Sequence, residues 1–310
     1  MNANVNIKGR QTKLLAAIAV LAMVVCALAI AMPASESEAT TELPSAEGGV
    51  YTLKESTYGS STAPIKMTEQ KGDISFVLGD GTDDAKASTV YLTFNGTDDG
   101  ANLFSTGTLT VDGAITIYIS TTGDEGIKTV RALYDMNVTL KNGATVEITS
   151  AESIQCQSWW NENSTYGTLI LGTKDSTTDV GGHLILNSAG GFSGVKASLY
   201  GQSSVEAKNT EVAAMNFAKL DVGEKASVKV QDGTATYINF AGAVTNNGTI
   251  DAGASKIDMD KGATLTNTAT GKVSAAQITG TVESTDIINT GEINAKMQLT
   301  NDAGEVTYLS

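Results

Sequence analysis

The chain has 310 residues, enough for two ordinary domains, and carries a formal charge of -14 with two cysteines, one histidine and three prolines. Such an acidic body repels a polyphosphate backbone, so nucleic acid is excluded as a partner, and so few thiols and imidazoles exclude zinc centres of the Cys/His kind. The 32 glycines, the many threonines and a 5% aromatic content suit short strands and tight turns, which makes the chain an all-β protein.

From the N-terminus, Lys8, Arg10 and Lys13 precede an apolar run from Leu14 to Ala31, and Pro33 with a Ser- and Glu-rich stretch ends it. This is the layout of a secretory signal, with small residues that suit cleavage after Ala31, Ala34 or Ala39. An uncleaved anchor with its basic end in the cytoplasm is the alternative, and the only membrane contact expected. Val25 before Cys26 is a poor lipidation signal, and charges at Arg10 and Lys13 disfavour a prepilin reading of Lys8-Gly9. Residues 1–34 are therefore assigned to a signal peptide or anchor, and the remainder to an exported body that is still more acidic once the three basic residues are removed. If the run is removed, Cys156 is the one thiol left, and no intramolecular disulfide can form.

Residues 35–69 contain Pro44 and Pro64 among Ser, Thr and Glu, and read as a disordered spacer that ends in a candidate cap. No proline follows Pro64. The body from 70 to 310 consists of apolar-alternating pieces separated by Gly, Asn and Asp, such as TLTVDGAITIYIS at 109–121 and NVTLKNGATVEITS at 137–150. Within 70–125 the pattern is less regular, and it suits a solenoid better than a small β-sandwich. Two acidic turns lie there. Asp80, Asp83 and Asp84 in one, with Asp98 and Asp99 in the other, are candidate calcium ligands, although neither turn has EF-hand spacing. No other cofactor is expected.

Residues 155–167 form the most distinctive segment, read as a loop between strands that holds both tryptophans. Trp159, Trp160, Asn161 and Tyr166 combine aromatic faces with an amide and suit stacking on sugar rings, with Tyr134 as a neighbour. The bland account is that the tryptophans fold back over a solenoid face. Sequons at Asn95, Asn137, Asn163 and Asn247 are candidate glycosylation sites in a host that glycosylates exported protein. His183 reads as a solvated turn residue, and Arg131 as a surface ion-pair partner or a packed stem. No G-x-S-x-G elbow marks a nucleophile.

The C-terminal third repeats in steps of about twenty residues. Gly248-Thr249-Ile250-Asp251-Ala252, Gly271-Lys272-Val273-Ser274-Ala275 and Gly291-Glu292-Ile293-Asn294-Ala295 share one pattern, preceded by Asn246, Asn267 and Asn289. The apolar residue and the alanine are two apart and share one strand face. Ile238 and Phe240, Ile257 and Met259, then Met297 and Leu299 fall at matching steps and are expected as inward columns, with Ile278 offset by one. A repeat of this length buries its apolar face only by stacking on its neighbours, so the expected fold is a β-solenoid, with Gly and Asn at left-handed corners and the asparagines stacked into ladders. Roughly twelve coils at ~4.8 Å each give a rod of roughly 60 Å.

The phrasing AVTNNGTIDAGA, TLTNTATGKVSA and IINTGEINAK resembles the repeats of secreted right-handed parallel β-helix adhesins, among them autotransporter passengers and the adhesin-like surface proteins of methanogenic archaea, over about 237–310. The resemblance implies a right-handed helix and a secreted or cell-surface binding role toward a neighbouring cell surface or glycan. The expected function is that of a non-enzymatic, adhesin-like rod. One alternative is a self-assembling surface-layer or fibre subunit, hence a homo-oligomer, whose uncapped ends pair strand to strand. The other is a polysaccharide lyase or hydrolase with carboxylates clustered near His183 or Arg131.

Overall fold

Strict alternation of apolar and polar residues forces one face of each strand inward, and the chain satisfies it by winding. In the computed structural model, which describes residues 39–125, 127, 130–150, 154–155, 167–187, 191–208, 215–231, 237–283 and 286–309, every strand but the last pairs in parallel, and the described residues contain no α-helix. The segment 1–34, read as a signal peptide or anchor, lies outside them. The strands form three ladders. The first runs from Val50–Leu53 to Ile287–Asn289, the second from Thr57–Tyr58 to the first half of Glu292–Thr300, and the third from Gln70–Lys71 to the second half of that same strand. This is a parallel β-solenoid, and the 70–125 segment belongs to it.

From Ile74 onward the solenoid makes about eight turns, fewer than the twelve expected. At ~4.8 Å per turn its axis is roughly 40 Å long. The reason lies in the length of the turns. Coils of about twenty residues occur in the C-terminal third, where Asn246, Asn267 and Asn289 are 21 and 22 residues apart. Nearer the N-terminus, strands such as Ala101–Asp112 and Val130–Lys141 bend through a corner and serve two ladders, and corner loops lengthen the path further. Val146 and its partner Leu184 are 38 residues apart.

The described part of 35–69, expected as a disordered spacer and cap, instead supplies the first rungs: Val50–Leu53 pairs with Ile74–Leu78, while Thr57–Tyr58 and Ile65–Lys66 both pair with Ser88–Gly96. At the other end the last turn is closed on the third ladder alone, where Val306–Leu309 pairs antiparallel with Glu292–Thr300.

Stacking aligns equivalent inward side chains. Phe76, Val111, Leu140, Leu171, Leu199 and Val222 form one buried column of the first ladder. In the third ladder Ile238, Ile257, Ile278 and Met297 are in register, as are Phe240, Met259, Gly280 and Leu299. The offset of Ile278 in the sequence is absorbed by a bulge between Ser274 and Gln277, so the column itself is unbroken.

The asparagine column forms as expected: Asn246 Nδ2 donates to Asn267 Oδ1, and Asn267 Nδ2 to Asn289 Oδ1, each at 2.8 Å. The glycines that follow are needed for a different reason from the one expected. Gly248, Gly271 and Gly291 do not have left-handed backbone angles. A Cβ at Gly271 would instead lie 2.4 Å from Asn246 O and 2.3 Å from Asn267 Oδ1, so the corner admits only a residue without one.

Candidate binding groove on the second ladder

The outer face of the second ladder carries the most developed arrangement of aromatic and polar groups among the described residues. In Ser88–Gly96 the inward residues include Val90, Leu92 and Phe94, which leaves Tyr91 outside. The same alternation puts Tyr118 of Ile115–Gly123 and Glu147 of Thr145–Ser150 outside. Register places the three side by side on successive turns. The turn spacing of about 4.8 Å then stacks the two phenol rings, whose centroids are 4.9 Å apart at 12°.

A corner loop forms the wall. Ser60 N–H donates to Ala63 O at 3.1 Å, and Ser60 Oγ accepts from Ala63 N–H at 2.9 Å, which closes the 60–63 turn. Gly59, buried and left-handed with φ 67°, lets the loop lie against Tyr91: a Cβ there would sit 3.0 Å from Tyr91 O. Ser60, Ser61 and Pro64 thus face Tyr91, Tyr118 and Glu147 across a groove of about 180 Å³, with the hydroxyls of Ser120 and Thr149 beside it. That volume is room for about six waters at ~30 Å³ each, or for one small ring.

Glu147 closes the far end and is held from two later turns. Asn187 Nδ2 donates to its Oε1 at 2.6 Å, and Lys208 Nζ to its Oε2 at 2.9 Å. These partners arrive in place because Glu147 pairs with Ile185, and Asn187 with Lys208. The corner loop before His183–Asn187 is in turn pinned by Asp179, whose Oδ1 accepts from Asn142 N–H and Gly181 N–H, both at 2.8 Å.

Two groups near this corner make stability depend on pH. Burial holds the His183 ring below the ordinary imidazole range, with Nδ1 2.9 Å from Ser204 Oγ. Unfolded His183 takes up a proton near pH 6.5, and folded His183 only at lower pH, so stability falls as pH drops through that value. Burial pushes the Asp179 carboxyl up, but donation from Thr173, Gly181 and Asn142 outweighs it and holds the group below the ordinary 3.8. Its contribution is therefore present above pH 3.8 and lost as pH falls below it. The urea midpoint should decline in two stages on acidification; His183→Gln should remove the first, and Asp179→Asn should remove the second and lower the neutral plateau. A midpoint that declines identically in all three proteins would contradict this assignment.

The expected site residues are distributed as follows. Trp159, Trp160, Asn161 and Tyr166, together with Cys156 and the sequon residue Asn163, lie outside the described residues. Tyr134 lies under the Arg131 guanidinium at 5.1 Å. Asp84 Oδ2 accepts from Gly81 N–H at 2.8 Å within its own turn, while Asp80 and Asp83 are exposed. Asp98 and Asp99 are exposed at a second turn, in which Ala101 N–H donates to Asp98 O at 3.1 Å. Among the described residues no group of three His, Cys, Asp or Glu side chains converges as metal ligands would. His183 opens a strand and is half-buried, in contrast to the solvated turn expected of it.

The sequons differ in how their amide nitrogens are engaged. Asn95 Nδ2 donates to Asp124 Oδ1 at 2.6 Å, and Asn247 Nδ2 to Val222 O at 3.3 Å. Exposed Asn137 uses its oxygen instead, which accepts from Thr168 N–H and Oγ1 at 3.0 and 2.8 Å.

Sequence reading missed the groove, although a signal was there. Thr89-Val90-Tyr91-Leu92-Thr93, Thr116-Ile117-Tyr118-Ile119-Ser120 and Thr145-Val146-Glu147-Ile148-Thr149 are one motif at intervals of 27 and 29 residues. A search at a period of twenty passes over it.

Comparison of the chain with protein-family models, with curated proteins and with solved structures finds no match. The class of protein is therefore defined by its architecture, a parallel β-solenoid with an aromatic and polar groove on one face. Among the described residues no helix is long and apolar enough to cross a membrane.

Proposed function

We propose that the protein is a non-enzymatic, exported, adhesin-like solenoid that binds glycans through the Tyr91–Tyr118–Glu147 groove. One observation carries this reading: two stacked phenol rings stand beside a carboxylate and several hydroxyls in a groove of about 180 Å³. The rungs beneath the groove are paired on both sides, so a peptide finds no free strand edge there to extend. Recognition has to come from side chains. Hydroxyl and carboxylate groups around an aromatic surface are complementary to a polyol ring. The stiff rod holds the groove at a fixed place, and the signal-like N-terminus, the acidic body and the adhesin-like repeats agree with display outside the cell.

A glycan array probed with wild type, Tyr118→Phe and Tyr118→Ala tests the proposal. Tyr118 is on the outer face, so folding should survive, which circular dichroism would verify. Loss of the ring should weaken binding roughly ten-fold, or about 1.4 kcal/mol, while Tyr118→Phe retains most of it. Equal binding by wild type and Tyr118→Ala, or none by either, would remove the groove from consideration.

A further inference from the structure

Ion pairs on this solenoid differ in how far they are shielded from water, and the difference singles out one. The side chains of Lys71 and Glu69 are 69% and 39% exposed, and those of Lys261 and Asp302 are 71% and 68% exposed. Lys208 and Glu147 are 28% and 13% exposed, which makes theirs the most sheltered ion pair among the described residues. Its carboxylate member, Glu147, lines the groove, and Lys208 acts on the groove through that carboxylate. Solvent screens such a pair less than the others, so its charge balance is felt locally.

We infer that Lys208 is a specificity-determining residue that makes the groove select neutral sugars over protonated amino sugars. The inference rests on the proposed glycan-binding function and deepens it. Each Glu147 oxygen already accepts one hydrogen bond, from Asn187 and from Lys208. A carboxylate oxygen has two lone pairs, so it can still accept a sugar hydroxyl. Its negative charge, however, is balanced by the Lys208 ammonium, and an incoming ammonium finds no net charge to pair with. It would lose hydration and meet Lys208 as a like charge. Carboxylated sugars are disfavoured for another reason, the field of a chain with formal charge -14. Uncharged polyols remain as the favoured class.

Lys208 comes from a strand 61 residues beyond Glu147, so a surface substitution can uncover the carboxylate without altering the strands that carry the tyrosines. The test uses an array that pairs neutral oligosaccharides with their amino-sugar counterparts, probed with wild type, Tyr118→Ala, Lys208→Met and Lys208→Met/Glu147→Gln. Wild type should prefer the neutral member of each pair. Lys208→Met should shift the ratio at least ten-fold toward the amino sugar, in a salt-sensitive manner, and adding Glu147→Gln should abolish the shift. The double variant leaves no unpaired carboxylate, so it also serves if Lys208→Met folds poorly: it should keep the neutral preference. An unchanged ratio in Lys208→Met, with binding still dependent on Tyr118, overturns the role of Lys208 alone. Binding indifferent to Tyr118 overturns the groove reading and this inference with it.

Discussion

Phe217→Ala should destabilise the protein by about 3–5 kcal/mol, the range for removing a fully buried aromatic ring from a packed core. Phe217 has no exposed surface and stands in the third-ladder column between Val195 and Phe240. Its ring packs edge-on against Phe192, with centroids 5.0 Å apart at 79°, so the loss includes an aromatic pair as well as transfer and cavity terms. The consequence is more than a lower midpoint. Each turn of a solenoid contacts only its neighbours, and stability is close to a chain of turn and interface terms. A cavity at this turn weakens the link between the two halves of the rod. Urea unfolding should therefore lose its single transition, and hydrogen exchange should show amides of the 215–222 strand opening together with their neighbours. A shift under 1 kcal/mol with one intact transition would show that the column does not carry the core.

Asn267→Ala should cost about 2–4 kcal/mol, since a buried amide gives up about three hydrogen bonds at a net of about 0.5–1.5 kcal/mol each. Asn267 is fully buried. Its Nδ2 is placed to donate to Asn289 Oδ1, Gly271 O and Glu292 O at 2.8, 3.1 and 3.1 Å, and its Oδ1 accepts from Asn246 Nδ2. Alanine removes these bonds at a tight corner, while Gly271 O keeps the Glu292 N–H, Asn289 Oδ1 the Gly291 N–H and Asn246 Nδ2 its bond to Lys272 O. The same change at Asn289, which is exposed at the last turn, lets water replace the lost bonds and should cost under about 1 kcal/mol. Chemical denaturation of both variants measures the contrast. Equal losses would mean that the amide column acts through corner geometry rather than through buried hydrogen bonds.

What could be read from the sequence was whatever repeats locally. Apolar alternation beside Gly, Asn and Asp turns identified strands, and the Asn and Gly pattern of the last third identified stacked coils and the Asn246–Asn267–Asn289 column. Alternation has a period of two and needs only neighbouring residues. Stacking register does not. It depends on how many residues each corner consumes, and the intervals from Leu92 to Ile119 and from Val146 to Leu184 are 27 and 38 residues. Only the tertiary structure could therefore bring Tyr91, Tyr118, Glu147, Asn187 and Lys208 together on one face, or show that the Ile278 offset is a bulge. The alternation along each strand decides that a side chain points outward, whereas the winding of unequal loops decides which outward side chain it meets.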